Sequence, residues 1–342
     1  MKKVVVFGGG TGLSCLLSGL KLFPLDVTTV ITVSDNGSST GQLKEELDIP
    51  AVGDLGKVML AMAGADEDLV NLMGYRFSKS GSLHNHPVRN IMLAALIDIK
   101  GNLLEATRYM CKLLQIKGTV LPLTEEKVEL VGETAGKNEK NIIGEEAVSL
   151  NIRKIRRLSY DHDIRICEEI KGRIAEADLI IFSSGSLYTS ILPHLLSSEV
   201  TDALKNAKAP LMYVCNLVTQ PGETDDYTVS DHVDVLNSYL DGRTIDIVLA
   251  NNAEIDKTVM EKYLTSENKK VVPVDHRRLE AQGTQIIESD IFSIEDGRIR
   301  HDALKTAYII FSYLMEQDEQ MKHGNIAAES RSDASIDPTE RV

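Results

Sequence analysis

Apolar residues in this chain gather in short unbroken runs, and between the runs they return every third or fourth position. Runs at 3–7, 27–33, 179–182, 211–215, 245–250 and 271–274 are rich in Val, Ile and Leu and show no polar alternation. Such strands are buried on both faces, as in a parallel sheet. Helical spacing follows at 12–22, 54–63, 88–99, 187–196, 230–240 and 256–264. Strand and helix in alternation predict an α/β fold built on a doubly wound, mostly parallel sheet.

The segment from 118 to 159 breaks this rhythm. "GTVLPLT", "KVELVGE" and "VSLNIRKIRRLSY" read as short strands joined by turns, so a small antiparallel insertion or cap beside the sheet is expected there. After Phe311 the apolar pattern fades into "EQDEQMKHGNIAAESRSDASIDPTERV". The chain is therefore read as one domain over 1–315 and an acidic, mobile tail over 316–342.

A chain of 342 residues can bury a full core. The net charge of −14, the absence of Trp and an aromatic content of 5% argue against nucleic acid, which needs a basic stripe and stacking platforms. A small anion remains a candidate, because helix N-termini supply local positive potential on an acidic protein. Cys15, Cys111, Cys167 and Cys215 are scattered without a C-x-x-C pair, which points to reduced thiols in a cytoplasmic protein. No leader-like segment follows Lys2-Lys3, and no apolar run reaches the ~20 residues of a membrane span, so no membrane insertion is expected.

Candidate chemistry sits in loops that follow the strand runs, where open α/β sheets bind ligands. Gly8-Gly9-Gly10-Thr11-Gly12 follows the first run and opens a helix, which suits a phosphate. The dinucleotide spacing fails, because its last glycine position is Leu13. "SDNGSSTG" follows the second run; Asp35 and Asn36 there suit an Asx-turn, a ribose, or a metal and diphosphate. In "IPAVGDLGK", Asp54 is a helix cap or, with Asp35, a Mg²⁺ ligand, and Lys57 is placed to meet a phosphate. "HNHPVRN" offers His86 and Asn90, with Arg89 at a helix start that is electrostatically odd unless an anion lies nearby. "SSGSLYTSILPHLL" presents Gly185, Ser186 and Tyr188; without Gly-x-Ser-x-Gly it is not a nucleophile elbow. "NLVTQPGETDDYTVSD" is long and polar for a loop after a buried strand, and it adds Asn216, Thr219, Gln220, Glu223 and Thr224, with Asn216 and Thr219 placed near a nucleobase. Asp231 at its end reads as a helix cap.

Together these loops resemble the CofD family of 2-phospho-L-lactate transferases and, most closely, its bacterial YvcK or gluconeogenesis-factor branch. The likeness runs from "VVVFGGGTGLSCLLSGLK" through "VSDNGSSTG", "GDLGK", "GSLYTSILPHLL" and "YVCNLVTQPGETDDYTVSDHV" to "IRHDALKTAYIIF". It implies a Rossmann-like, nucleotide-binding core. In the YvcK branch it further implies binding of UDP-sugars such as UDP-N-acetylglucosamine or UDP-glucose. A role in cell shape and wall synthesis on gluconeogenic carbon sources goes with it, without an assigned reaction or required cofactor. The implied partners are a nucleoside-diphosphate sugar and proteins of wall synthesis, and a homo-oligomer stays open. The transferase branch implies transfer of a GDP-activated phospholactate to a deazaflavin precursor with Mg²⁺, for which Asp35 and Asp54 would be the ligands.

The ligand set implied is Gly9, Gly10, Thr11, Gly12, Asp35, Asn36, Lys57, His86, Asn90, Gly185, Ser186, Tyr188, Asn216, Thr219, Gln220, Glu223 and Thr224. Two stretches depart from the family pattern. Asn85-His86-Pro87-Val88-Arg89-Asn90 stands for Gly-His-x-x-Gly-Asn, and Ser183-Ser184-Gly185-Ser186 for Gly-Pro-Gly-Ser.

Overall fold

A computed structural model describes residues 1–79, 81–134, 140–295 and 297–333. The strands are β1 (Lys2–Gly8), β2 (Leu25–Ile31), β3 (Thr119–Pro122), β4 (Leu130–Thr134), β5 (Ile142–Ile143), β6 (Ile155–Tyr160), β7 (Leu179–Phe182), β8 (Leu211–Val214), β9 (Ile247–Asn251), β10 (Gln285–Ser289), β11 (Phe292–Glu295) and β12 (Arg298–His301). Seven of them form one sheet in the order β10-β9-β8-β7-β1-β2-β3. Every pairing in it is parallel. This is the Rossmann-like α/β architecture that the alternating pattern predicts.

Helices cover both faces of the sheet, which is why its central strands are unbroken apolar runs. Val4, Val5, Val6 and Phe7 of β1 are each no more than 2% exposed. The helices that shape the site are α1 (Gly10–Leu20), α2 (Ser38–Glu46), α3 (Gly53–Met62), α4 (Glu67–Gly74), α5 (Val88–Lys100), α6 (Leu103–Leu113) and α7 (Glu145–Leu150). Further along the chain come α8 (Glu169–Ala175), α9 (Ser198–Asn206), α10 (Val229–Tyr239), α11 (Lys257–Glu267), α12 (His276–Gln282) and α13 (Ala303–Asp333).

The structure redraws four boundaries. "GTVLPLT" supplies β3, the edge of the main sheet, so the antiparallel unit begins only at β4 and has the order β5-β4-β6. "VSL" belongs to α7 rather than to a strand. The apolar run at 271–274 makes only an isolated bridge, Val271 with Val218; the seventh strand is instead β10, whose half-buried "QIIES" has the mixed pattern of an edge. Finally, α13 continues past Glu316 to Asp333, and Lys2 Nζ meets Asp318 Oδ1 at 2.9 Å. Glu, Gln, Met, Lys and Ala in that segment are good helix formers, so loss of the apolar stripe does not end the helix. Residues 334–342 of the expected tail lie outside the described residues.

The segment 187–196 is a wide turn at Leu187–Ile191 followed by a 3₁₀ turn at Leu192–Leu196. Pro193 lacks the N–H that a regular helix needs at this point.

Strand order reverses between β1 and β7, since β2 and β3 extend one way and β8 to β10 the other. The loops leaving those two strands therefore part and open a crevice at the carboxyl edge. They also touch at one point: a Cβ on Gly12 would lie 2.2 Å from the carbonyl oxygen of Ser184. Gly12→Ala is expected to push α1 off the 183–186 loop and to destabilise the fold by about 1–3 kcal/mol. Thr11→Ala, at an exposed neighbour, should leave stability nearly unchanged. Urea unfolding of the two variants checks this.

Candidate functional site

The glycine loop turns at Gly10, whose φ of +64° lies in the left-handed region. There α1 begins, and Thr11 and Gly12 occupy its first turn, where N–H groups have no partner within the helix. The Gly10 N–H donates to Asp54 Oδ2 at 2.9 Å. The other oxygen of Asp54 accepts from Lys57 Nζ at 2.9 Å. Asp54 lies in the first turn of α3, yet it satisfies the start of α1. It is therefore not the N-cap of its own helix, as its sequence suggests, since Val52 holds that position; it answers the start of a helix distant in the chain.

Two clefts lie on either side of this carboxylate. The first, of about 320 Å³, is floored by Gly9 to Gly12 and by Gly185 and Ser186, with Asn216 and Gln220 at its side. Asn216 fixes the floor: its Oδ1 accepts from Gly185 N at 2.9 Å, and its Nδ2 donates to Gly185 O at 2.8 Å. Gln220 Oε1 is buried without a hydrogen-bond partner.

Lys269, Arg300 and His301, which sequence reasoning missed, line the same cleft, and the His301 carbonyl accepts from Cys15 Sγ of α1 at 3.0 Å. They come from the segment between α11 and α12 and from β12, which pairs with β11 in a two-stranded hairpin that no apolar run announces. The Lys269 ammonium sits 6.0 Å from the Tyr263 ring centre, and Tyr263 Oη accepts from Ile299 N at 2.6 Å. Burial pushes the His301 imidazole down to about 4, so it is neutral at pH 7, with Nε2 3.0 Å from Cys215 O.

The second cleft, of about 400 Å³, brings together Asp35, Lys57 and Asn90 with Arg76 and Arg89. Burial, and then the charge of Asp54, raise the Asp35 carboxyl, which accepts from Gly37 N at 2.9 Å. His86 is buried, with Nδ1 2.8 Å from Ser39 Oγ. Asn36 Oδ1 accepts from Glu146 N at 3.0 Å, tying the antiparallel unit to the "SDNG" loop. This contact brings in Glu145, a further residue that sequence reasoning missed. Burial raises its carboxyl to about 6; a hydrogen bond with Thr189 opposes this, and the charges of Asp35, Asp54 and Glu146 add to it.

The remaining candidates line neither cleft. Glu223 is buried, where it accepts from Ser186 Oγ at 2.7 Å and Tyr188 N at 2.9 Å, so it caps the turn that starts at Leu187. The Tyr188 and Tyr227 hydroxyls are 3.0 Å apart. Thr224 Oγ1 accepts from Gln220 N at 2.9 Å, and Thr219 Oγ1 accepts from Lys270 N at 3.0 Å. Both threonines are at most 2% exposed, so they shape the loop and do not face a base. Asp231 is not a helix cap itself: Thr228 caps α10 and Asp231 closes its capping box.

Among the described residues no group of three or more His, Cys, Asp or Glu is arranged to hold a metal ion. Asp35 feels the charge of Asp54. One or two carboxylates with phosphate oxygens are a Mg²⁺ donor set, so the pair fits that ion only together with a diphosphate. No helix among the described residues is long and apolar enough to cross a membrane.

A parallel sheet whose switch-point loops converge on a glycine-rich helix start defines a Rossmann-like α/β protein. The chain belongs to the CofD family: residues 4–292 match the family described as 2-phospho-L-lactate transferase CofD. It is 38% identical to the gluconeogenesis factor of Bacillus subtilis, over 92% of this chain and 98% of that one. The gluconeogenesis factor of Halalkalibacterium halodurans is likewise 38% identical, over 90% and 95% of the two chains. A crystal structure of a Bacillus halodurans protein, 37% identical, superposes with a TM-score of 0.85 over 91% of this chain and 99% of that one.

The raised Glu145 carboxyl gives a pH dependence with a definite sign. Its unfolded value is near 4.5 and its folded value about 6, so the folded chain holds the proton more tightly between them. Stability is therefore lost as pH rises through that window, and the full cost stands above it. Glu145→Gln, which stays neutral, should match wild type at about pH 4 and exceed it at about pH 7. Thermal unfolding across that range is the measurement; a constant gap between the two proteins would show that Glu145 does not titrate in the folded state.

Proposed function

We propose that this protein binds a nucleoside-diphosphate sugar in the glycine-loop cleft and acts as a regulatory protein. UDP-N-acetylglucosamine or UDP-glucose is the ligand of choice. The observation that carries this reading is that the start of α1, with the free N–H groups of its first turn, lines one cleft together with Lys269 and Arg300. A negatively charged diphosphate there would meet helix N–H groups and cationic side chains, on a chain whose net charge is −14. A cleft of about 320 Å³ lies within the usual range for small-molecule sites. The relatives named gluconeogenesis factor support a role on gluconeogenic carbon sources, and a part in cell shape and wall synthesis is proposed with it.

A second reading is favoured by one observation, the placement of Asp35 near enough to Asp54 to feel its charge. That pair would take a cation beside a diphosphate, as a Mg²⁺-dependent phospholactate transferase requires. The Mg²⁺ would supply charge neutralisation of the leaving diphosphate. Lys57, already paired with Asp54, would face the same phosphates.

Calorimetric titration with UDP-N-acetylglucosamine, UDP-glucose, GDP, ADP and NAD is expected to show saturable binding of the UDP-sugars alone. Arg300→Ala should weaken that binding about tenfold or more, as loss of one charge-assisted contact does. Binding of NAD with no response to UDP-sugars would overturn the choice of ligand. Incubation with GDP-activated phospholactate, Mg²⁺ and the deazaflavin acceptor is expected to give no product. Turnover there would favour the transferase.

A further inference from the structure

A third cavity adjoins the glycine-loop cleft. This groove, of about 680 Å³, is lined by α1 and the β11–β12 hairpin, and it shares Thr11, Cys15 and Arg300 with the cleft. Ser14 and Ser18 line it on the same side of α1 as Thr11 and Cys15, while Leu13, Leu16 and Leu17 turn into the core. The hairpin contributes Glu295, Arg298 and Arg300. Along β12 exposure alternates: Arg298 is exposed, Ile299 buried, Arg300 half-buried and His301 buried. Period two therefore puts both arginines on one face of the strand. Neither forms an ion pair among the described residues.

The polar groups of the groove are mixed in kind. Ser14 Oγ donates to Gly10 O at 2.9 Å, and Ser18 Oγ donates to Cys15 O at 2.7 Å. With their protons engaged on helix carbonyls, both hydroxyls offer lone pairs to a ligand. Glu295 Oε1 accepts from Ser293 Oγ at 3.2 Å, which leaves Oε2 as a further acceptor. Arg298 supplies donors only. A second phosphate would be met by Arg298 but opposed by Glu295, its cross-strand neighbour. A sugar suits both, because each of its hydroxyls can donate and accept.

Size and polarity give the ligand a direction. A nucleotide sugar has three parts, and a cleft of about 320 Å³ is at the small end for one. Gln220 lines that cleft and not the groove, and its buried Oε1 has no hydrogen-bond partner. The imide N–H of uracil is a donor that would satisfy it. Arg300 lines both cavities, as a contact to the diphosphate between base and sugar would require. We infer that the groove between α1 and β12 is the sugar subsite of this protein, with Ser14, Ser18, Glu295 and Arg298 as the groups that select the sugar. The inference rests on the nucleotide-sugar reading of the first cleft and assigns the two ends of that ligand.

The test is calorimetric titration of the full chain with UDP, UDP-glucose and UDP-N-acetylglucosamine, read as the affinity for each UDP-sugar relative to UDP. Arg298→Ala, on an exposed hairpin position, should lower that ratio about tenfold, as loss of a charge-assisted contact does. Ser18→Leu, which keeps a good helix former but fills the groove, should lower it as well. Gln220→Leu should weaken UDP and the UDP-sugars alike and leave the ratio unchanged. An unchanged ratio in both Arg298→Ala and Ser18→Leu, with UDP-sugars still bound, would overturn the sugar subsite and leave the nucleotide-sugar reading standing. A loss confined to the UDP-sugars in Gln220→Leu would place the sugar at Gln220 and overturn the assignment of ends. Failure of wild type to bind UDP or any UDP-sugar would overturn both readings together.

Discussion

The carboxylate of Asp54 holds the candidate site together. One oxygen accepts the Gly10 N–H at the start of α1, and the other accepts from Lys57. An open helix start at a switch point is an electropositive spot, and without a partner it would attract any anion. Asp54 answers part of that potential from another helix, which fixes α3 against the glycine loop. What is left for a ligand is the first-turn N–H of Thr11 and Gly12 and the cations that line the same cleft. Glu223 plays the same part at the turn that follows β7, where it accepts from Ser186 and the Tyr188 N–H. The two loops that flank the crevice are thus each braced by an internal carboxylate, and the crevice keeps its shape independently of what enters it.

This arrangement also explains why an acidic chain can present two cationic clefts. The net charge is −14, yet Lys57, Arg76 and Arg89 line one cleft and Lys269 and Arg300 the other. The antiparallel unit closes the assembly from above, through Asn36 and the N–H of Glu146.

Much of this was legible in the chain. The unbroken apolar runs predict a buried parallel sheet, and β1, β2, β7, β8 and β9 lie where those runs are. The switch-point loops are legible because Gly, Ser, Asn and Thr after a buried strand have few structural reasons to be there. Legibility ends where a contact is made by residues distant in the chain and of ordinary type. β10 and the β11–β12 hairpin have mixed patterns and half-buried faces, so nothing in the local sequence distinguishes Arg300 from any surface arginine. The reverse error concerns Thr219 and Thr224. Polar side chains in a polar loop look available to a ligand, but the backbone of a long loop needs partners of its own, and these hydroxyls supply them.

The two departures from the family's glycine pattern have opposite physical consequences. At 183 the new side chain is buried: Ser183 is fully covered, and a Cβ on Gly8 would lie 2.0 Å from its Oγ. Serine there fills space beneath the glycine loop and leaves Gly185, on the cleft side, unchanged. Arg89 instead brings a long cation into a helix start, and the groove at Gly56 leaves room for its stem. A substitution that places an unpaired charge in the interior is normally among the more destabilising ones. Here the cost is reduced, because Gly56 leaves room for the stem and the charge of Asp54 acts on the guanidinium in its favour.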